Sequence, residues 1–144
     1  MKMVMRSRAS VLNVSSGSKR AASEIEAAAA AGVEFIELPV AYDALAVAIN
    51  PNNPLSSLTV DQLRRIFRHD NPARTWNEVD PSLPAERILI FMPGEASGTY
   101  DYFHEAVMGK GVRFRDDDVV TMNESDNTLV RGIQGNTWAI GYFG

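Results

Sequence analysis

Cysteine is absent from this chain of 144 residues, which excludes a disulfide framework, thiol chemistry and a thiolate metal site. Histidine is scarce: there are 2, His69 and His104. They are too few, and without clustered carboxylates beside them, to suggest a metal centre. No cofactor is expected either. An excess of basic charge is also lacking, because Lys and Arg number 14 against 18 Asp and Glu, a net charge of −4. That argues against nucleic acid as a partner, since such binders usually present a basic face. It leaves an anion receptor open, because local N–H donors can hold an anion inside a protein of net negative charge. No apolar run approaches the roughly 20 residues of a membrane-crossing helix, so direct membrane insertion is not expected. Met1–Arg8 is basic, but no apolar stretch of signal-peptide length follows it.

Hydrophobic residues make up 45% and charged residues 22%, the composition of an ordinary globular domain with an adequate core. There is no internal repeat. The most informative stretch is Pro93-Gly94-Glu95-Ala96-Ser97-Gly98-Thr99-Tyr100. The apolar run Ile88–Met92 before it reads as a buried strand, and Tyr100–Met108 after it reads as a helix. A strand, a small-residue turn and a helix N-terminus together suit an anion, because the first N–H groups of a helix lack partners and the dipole is positive there. Ser97 and Thr99 add hydroxyls, and Gly98 allows close approach to the backbone. The plain alternative is that Ser97 or Thr99 only caps the helix.

Around this turn, strands and helices alternate. Ser23 caps a predicted helix through the alanines to Ala31, with Gly32 at its end, and Val33–Leu38 reads as a strand. Ser10–Val14 is a candidate short strand. Leu45–Ile49 is a continuous apolar strand of the kind buried on both faces. Thr59 caps a helix over Val60–Arg68, and Trp76 and Val79 anchor one further turn. After Ser97 the residues Tyr102, Phe103, Ala106 and Val107 form a predicted core-facing stripe. Trp76, Tyr102, Phe103 and Trp138 are expected in the core. Asp116–Asp118 reads as a solvated acidic turn. Val119–Met122 reads as a strand, the segment from Asp126 or Asn127 to Ile133 as a helix, and Ala139–Phe143 as the last strand. The alternation predicts an α/β layer with a mostly parallel sheet flanked by helices.

Several of these segments, taken in order, carry a family resemblance. They are Tyr42–Pro51, Leu58–Phe67, Thr75–Val79, Ser97-Gly98-Thr99 with Tyr102-Phe103, Asp126–Val130 and Ala139–Gly144. From about Ser23 to Gly144 the set resembles the phosphate-binding receptor of the Pst-type ABC importer. That receptor is a two-lobed periplasmic or lipid-anchored protein of the type II periplasmic-binding-protein superfamily. The resemblance implies capture of inorganic phosphate between two lobes and delivery to a membrane permease, outside the cytoplasm. It implies a lobe two over residues 41–144, with hinge strands near 39–48 and 139–144. Residues 1–40 would be a tail and a remnant of lobe one, expected to be mobile, to dock irregularly on lobe two or to self-associate for want of partner strands. Both ends are then expected to be truncation points of a larger receptor.

In that family phosphate needs many donors and an acceptor for its proton. Here Ser97, Gly98 and Thr99 would supply donors from one lobe, each charge-assisted bond contributing roughly 1.5–3 kcal/mol. The acceptor and the other phosphate loop have no match in this chain. Many members carry an arginine four residues before the serine, where this chain has Pro93. Lys19 and Arg20 are the candidates for the missing positive charge, unless they are solvated tail charges. Glu95 is expected to point outward and His104 to sit at the surface or boundary. No catalytic residue is assigned. Two other classes stay open. One is a serine hydrolase, although in Gly94-Glu95-Ala96-Ser97-Gly98 the G-x-S-x-G spacing is not met. The other is a free-standing single-lobe interaction module.

Overall fold

A computed structural model describes residues 2–3, 30–31 and 45–144. Strand β1 is Lys2–Met3 and β2 is Ala46–Ile49. Helix α1 spans Val60–Phe67 and the single turn α2 spans Trp76–Val79. Strand β3, Leu89–Met92, leads into α3, Gly98–Phe103, which continues as a π-helical turn, His104–Met108. Strand β4 (Val120–Met122), α4 (Asp126–Gly135) and β5 (Ala139–Phe143) complete the described elements.

The strands form one sheet in the order β1-β2-β5-β3-β4. Strands β4, β3 and β5 run parallel, and β2 joins β5 antiparallel with Ala46 opposite Phe143. The α/β architecture expected from the sequence is present, with parallel pairing in the half of the sheet that carries the Ser97 turn. All five residues of β5 are buried, which is why its apolar run is unbroken rather than alternating. Its neighbour β3 splits its side chains by parity. Ile90 and Met92 pack with Tyr142, Phe103 and Phe67 in the larger core, while Leu89 and Phe91 lie against Leu129 and Ile133 in the smaller one. The sheet therefore has helix packing on both faces, with α4 on the Phe91 side.

Local chemistry explains the element ends. Thr59 accepts from the Gln62 N–H at 3.2 Å while its own N–H donates to Gln62 Oε1 at 2.8 Å, a capping box. Asn50 closes the end of α4 from a distance, its amide donating to the carbonyls of Ile133 and Gln134, both at 2.9 Å. Arg64 of α1 donates through Nε to the carbonyls of Val107 and Met108, at 2.8 and 3.1 Å, and so satisfies the end of the π-turn.

Three expectations need correction. The predicted stripe Tyr102, Phe103, Ala106, Val107 is the buried face only in part, through Phe103 and the half-buried Val107. Phe103 and Met108 are fully buried, and Tyr102 and Ala106 are half-buried. The cause is the π-turn: the Gly109 N–H donates to His104 O five residues back, at 2.9 Å. The wider turn moves the inward face from Ala106 on to Met108. Tyr102 is consequently not a core residue, and Trp138 is only partly buried, packed on the larger cluster. The acidic turn is also more than a solvated one. Asp116 meets His69 and Arg113, Asp118 meets Arg87, and half-buried Asp117 meets Arg115. The predicted strands Ser10–Val14 and Val33–Leu38, and the helix from Ser23 apart from Ala30–Ala31, lie outside the described residues.

Candidate functional site

The Ser97 turn sits where the carboxyl end of β3 passes into α3. Ser97 is the N-cap, in extended conformation, and its Oγ accepts from the Thr99 N–H at 3.2 Å. The capping alternative is therefore real, and what matters is which donors it leaves over. The Ser97 N–H donates to Gly94 O at 3.0 Å, and the Tyr100 N–H donates to Ser97 O at 3.0 Å. The Thr99 N–H is spent on the cap. Among the described residues, the Gly98 N–H has no partner, and the hydroxyl protons of Ser97 and Thr99 have no acceptor. Three unspent donors thus converge on one turn. Gly98 is exposed, Ser97 and Thr99 are half-exposed, and a Cβ added at Gly98 would meet nothing within 4 Å. The turn is open to a ligand.

Thr99 lies beside the end of β5. A methyl group built on Gly144 would fall 2.8 Å from Thr99 Oγ1. The donors therefore border the crevice outside the carboxyl ends of β3 and β5, neighbouring parallel strands, the position in open α/β sheets where ligands bind.

A separate cavity of about 330 Å³ lies on the other flank of α3, lined by residues that include Glu95, Tyr100, Asp101 and Arg113 but none of Ser97, Gly98 and Thr99. Its sign disfavours an oxyanion, because Glu95 and Asp101 have no ion-pair partner among the described residues. Burial, then Glu95 and then Asp101, raise the Tyr100 phenol above its ordinary range. Glu95 is exposed, as expected. Burial, with Tyr100 adding to it, pushes the Tyr142 phenol up as well. That hydroxyl is buried without a hydrogen-bond partner among the described residues, its ring stacked on Phe103 at 3.8 Å.

The chain matches the PBP superfamily domain over residues 1–144. It belongs to that superfamily. Protein SphX of Synechococcus elongatus is similar to this superfamily member at 42% identity over 123 residues, 84% of this chain and 36% of that protein. The phosphate-binding protein PstS of Staphylococcus saprophyticus is 35% identical over 114 residues, 78% of this chain and 34% of its own length. Among solved structures, a possible phosphate binding protein from Planctomyces limnophilus matches at 38% identity with a TM-score of 0.69, over 86% of this chain and 43% of that one. A putative phosphate ABC transporter substrate-binding protein from Clostridium perfringens, solved with bound phosphate, matches at 26% identity and TM-score 0.57, over 69% and 38%. The chain spans about a third of the length of the curated relatives it matches.

His104 sits at a boundary, half-buried, and donates through Nε2 to Val112 O at 2.7 Å. His69 Nδ1 lies 3.0 Å from Asp116. Both histidines are thus engaged away from Ser97. Lys19 and Arg20 lie outside the described residues. Pro93 is buried. Sequence reasoning missed Gly144 as a neighbour of Thr99, since no local pattern links a strand end to a turn 45 residues earlier.

Proposed function

We propose that this chain is part of the phosphate-binding component of an ABC transporter, holding the anion through Ser97, Gly98 and Thr99. The observation that carries the reading is the three unspent donors of that turn, open to solvent beside the β3–β5 crevice. That relatives are named for phosphate binding supports phosphate as the anion. Phosphate suits the site because its several oxygens accept hydrogen bonds from N–H and O–H groups. In this reading the protein works outside the cytoplasm, its partner is the importer permease, and it is a binding protein rather than an enzyme. The hydrolase alternative is disfavoured because a serine nucleophile needs a base in reach, and neither histidine contacts Ser97.

The domain reading is part of the same proposal. Residues 41–144 are taken as lobe two, with residues 1–40 as a tail and remnant of lobe one. The pairing of Ala46 with Phe143 supports it, because the chain enters β2 and leaves β5 at the same end of two neighbouring antiparallel strands. That arrangement suits two hinge crossings. Lys19 and Arg20 remain the proposed sources of positive charge. Calorimetric titration with phosphate, sulfate and arsenate tests the reading. Phosphate heat that sulfate does not reproduce supports it, and equal or absent heats for all three overturn it.

A further inference from the structure

The Thr99 hydroxyl is, with the Ser97 hydroxyl and the Gly98 N–H, a donor without a partner among the described residues, and its direction depends on a residue far along the chain. Its backbone N–H is committed to Ser97 Oγ, so its side chain is what Thr99 has to offer a ligand. That side chain faces Gly144, where a Cβ would lie 2.8 Å from Oγ1, 3.8 Å from Cγ2 and 3.9 Å from the Thr99 Cβ. The closest approach is below any ordinary contact. The shortfall falls on the hydroxyl rather than the methyl, so a side chain at residue 144 would displace the donating atom itself. Threonine is stiff at χ1, and its hydroxyl leaves one position only by rotating to another staggered well.

We infer that Gly144 is a positioning residue: the absence of a side chain there keeps the Thr99 hydroxyl in the rotamer that faces the β3–β5 crevice. This inference rests on the phosphate reading for its consequence, but not for its geometry. It also ties the anion turn to the end of β5. A shift of the backbone at Gly144 changes the room available to one of the three donors, so the strand end and the ligand site are mechanically linked.

The test uses the full chain carrying Gly144→Ala, with three readouts. The Thr99 methyl resonance and its χ1-dependent couplings report the rotamer without any ligand. Calorimetry with inorganic phosphate reports affinity, and thermal unfolding reports stability. The expected result is a changed Thr99 rotamer and phosphate binding weakened about tenfold or more, as for loss of one charge-assisted hydrogen bond, with the unfolding midpoint nearly unchanged. Adding Thr99→Ser, which lacks the Cγ2 methyl and turns more freely, should recover most of the affinity. An unchanged Thr99 rotamer in Gly144→Ala overturns the inference whether or not phosphate binds. So does unweakened phosphate binding by that variant. If the parent chain gives no phosphate heat while the Thr99 rotamer still responds, the phosphate reading fails and the positioning role stands.

Discussion

Ser97 does two things with one oxygen. Its lone pair accepts from the Thr99 N–H and closes the helix start, and its proton stays free to donate outward. Replacing Ser97 with Ala therefore removes a cap worth about 1 kcal/mol and a free hydroxyl donor together. The double variant Ser97→Ala, Thr99→Val should abolish phosphate heat in calorimetry while far-UV circular dichroism stays that of the folded chain. Retained phosphate affinity would show that the turn is only a cap. Asp117 makes a different prediction. Two hydrogen bonds from the buried Arg115 guanidinium, at 2.9 and 2.6 Å, hold its carboxyl below the ordinary range, that hydrogen bonding being the largest cause. A depressed folded-state value means stability that is present above the unfolded carboxylate value of about 3.9 and lost as pH falls through the folded one. Acid unfolding should therefore steepen below about pH 4, and Asp117→Asn should flatten that limb. Identical acid limbs in the two proteins would remove Asp117 from the account. Arg115 also donates to the carbonyls of Ala73 and Ile66, so it ties the loop before β4 to the end of α1.

At the scale of elements, the placement of the turn depends on how closely β3 approaches β5. A Cβ at Gly141 would lie 2.3 Å from the Phe91 carbonyl oxygen, a backbone atom that cannot swing aside. Gly141→Ala should therefore destabilise the chain by about 2 kcal/mol or more through overpacking, read as a lower midpoint in urea. A neutral result would mean that β3 and β5 part without cost. On the same face, where the Gly141 Cβ would also meet Ile133 Cδ1 at 2.8 Å, Gly132 of α4 leaves room for the Phe91 ring, 2.2 Å from where the Gly132 Cβ would be. The π-turn after α3 belongs to this scale too. Its extra residue brings Met108 inward, and Arg64 and His104 satisfy the carbonyls of Val107, Met108 and Val112 around it. The helix that presents Ser97 is thus anchored at its far end by α1.

For the whole molecule the donor count sets the expected strength. Three unspent donors with no cation identified beside them hold a hydrated anion weakly, because each bond formed replaces one to water. The chain by itself should bind phosphate in the millimolar range or more weakly, and calorimetry or phosphate-detected NMR reads this directly. Sub-micromolar affinity for the monomer would contradict the view that further donors come from outside residues 41–144. It would also point to a complete site within this chain.

Much of this was legible in the residues themselves. Thr59 with Gln62, the unbroken run Ala139–Phe143 and the order Ile88–Met92, Ser97-Gly98-Thr99, Tyr100 determined a capped helix, a doubly buried strand and a strand–turn–helix unit capped by Ser97. These signals work because caps and periodic burial act within one or two turns of the chain. Tertiary structure alone decided that Asp116, Asp117 and Asp118 each gain a cationic partner. It alone decided that Met108 rather than Ala106 turns inward, that Asn50 closes a helix 84 residues away, and that Thr99 shares its space with Gly144. Such pairings join side chains that the sequence holds far apart, so they exist only once the sheet order has brought their elements together.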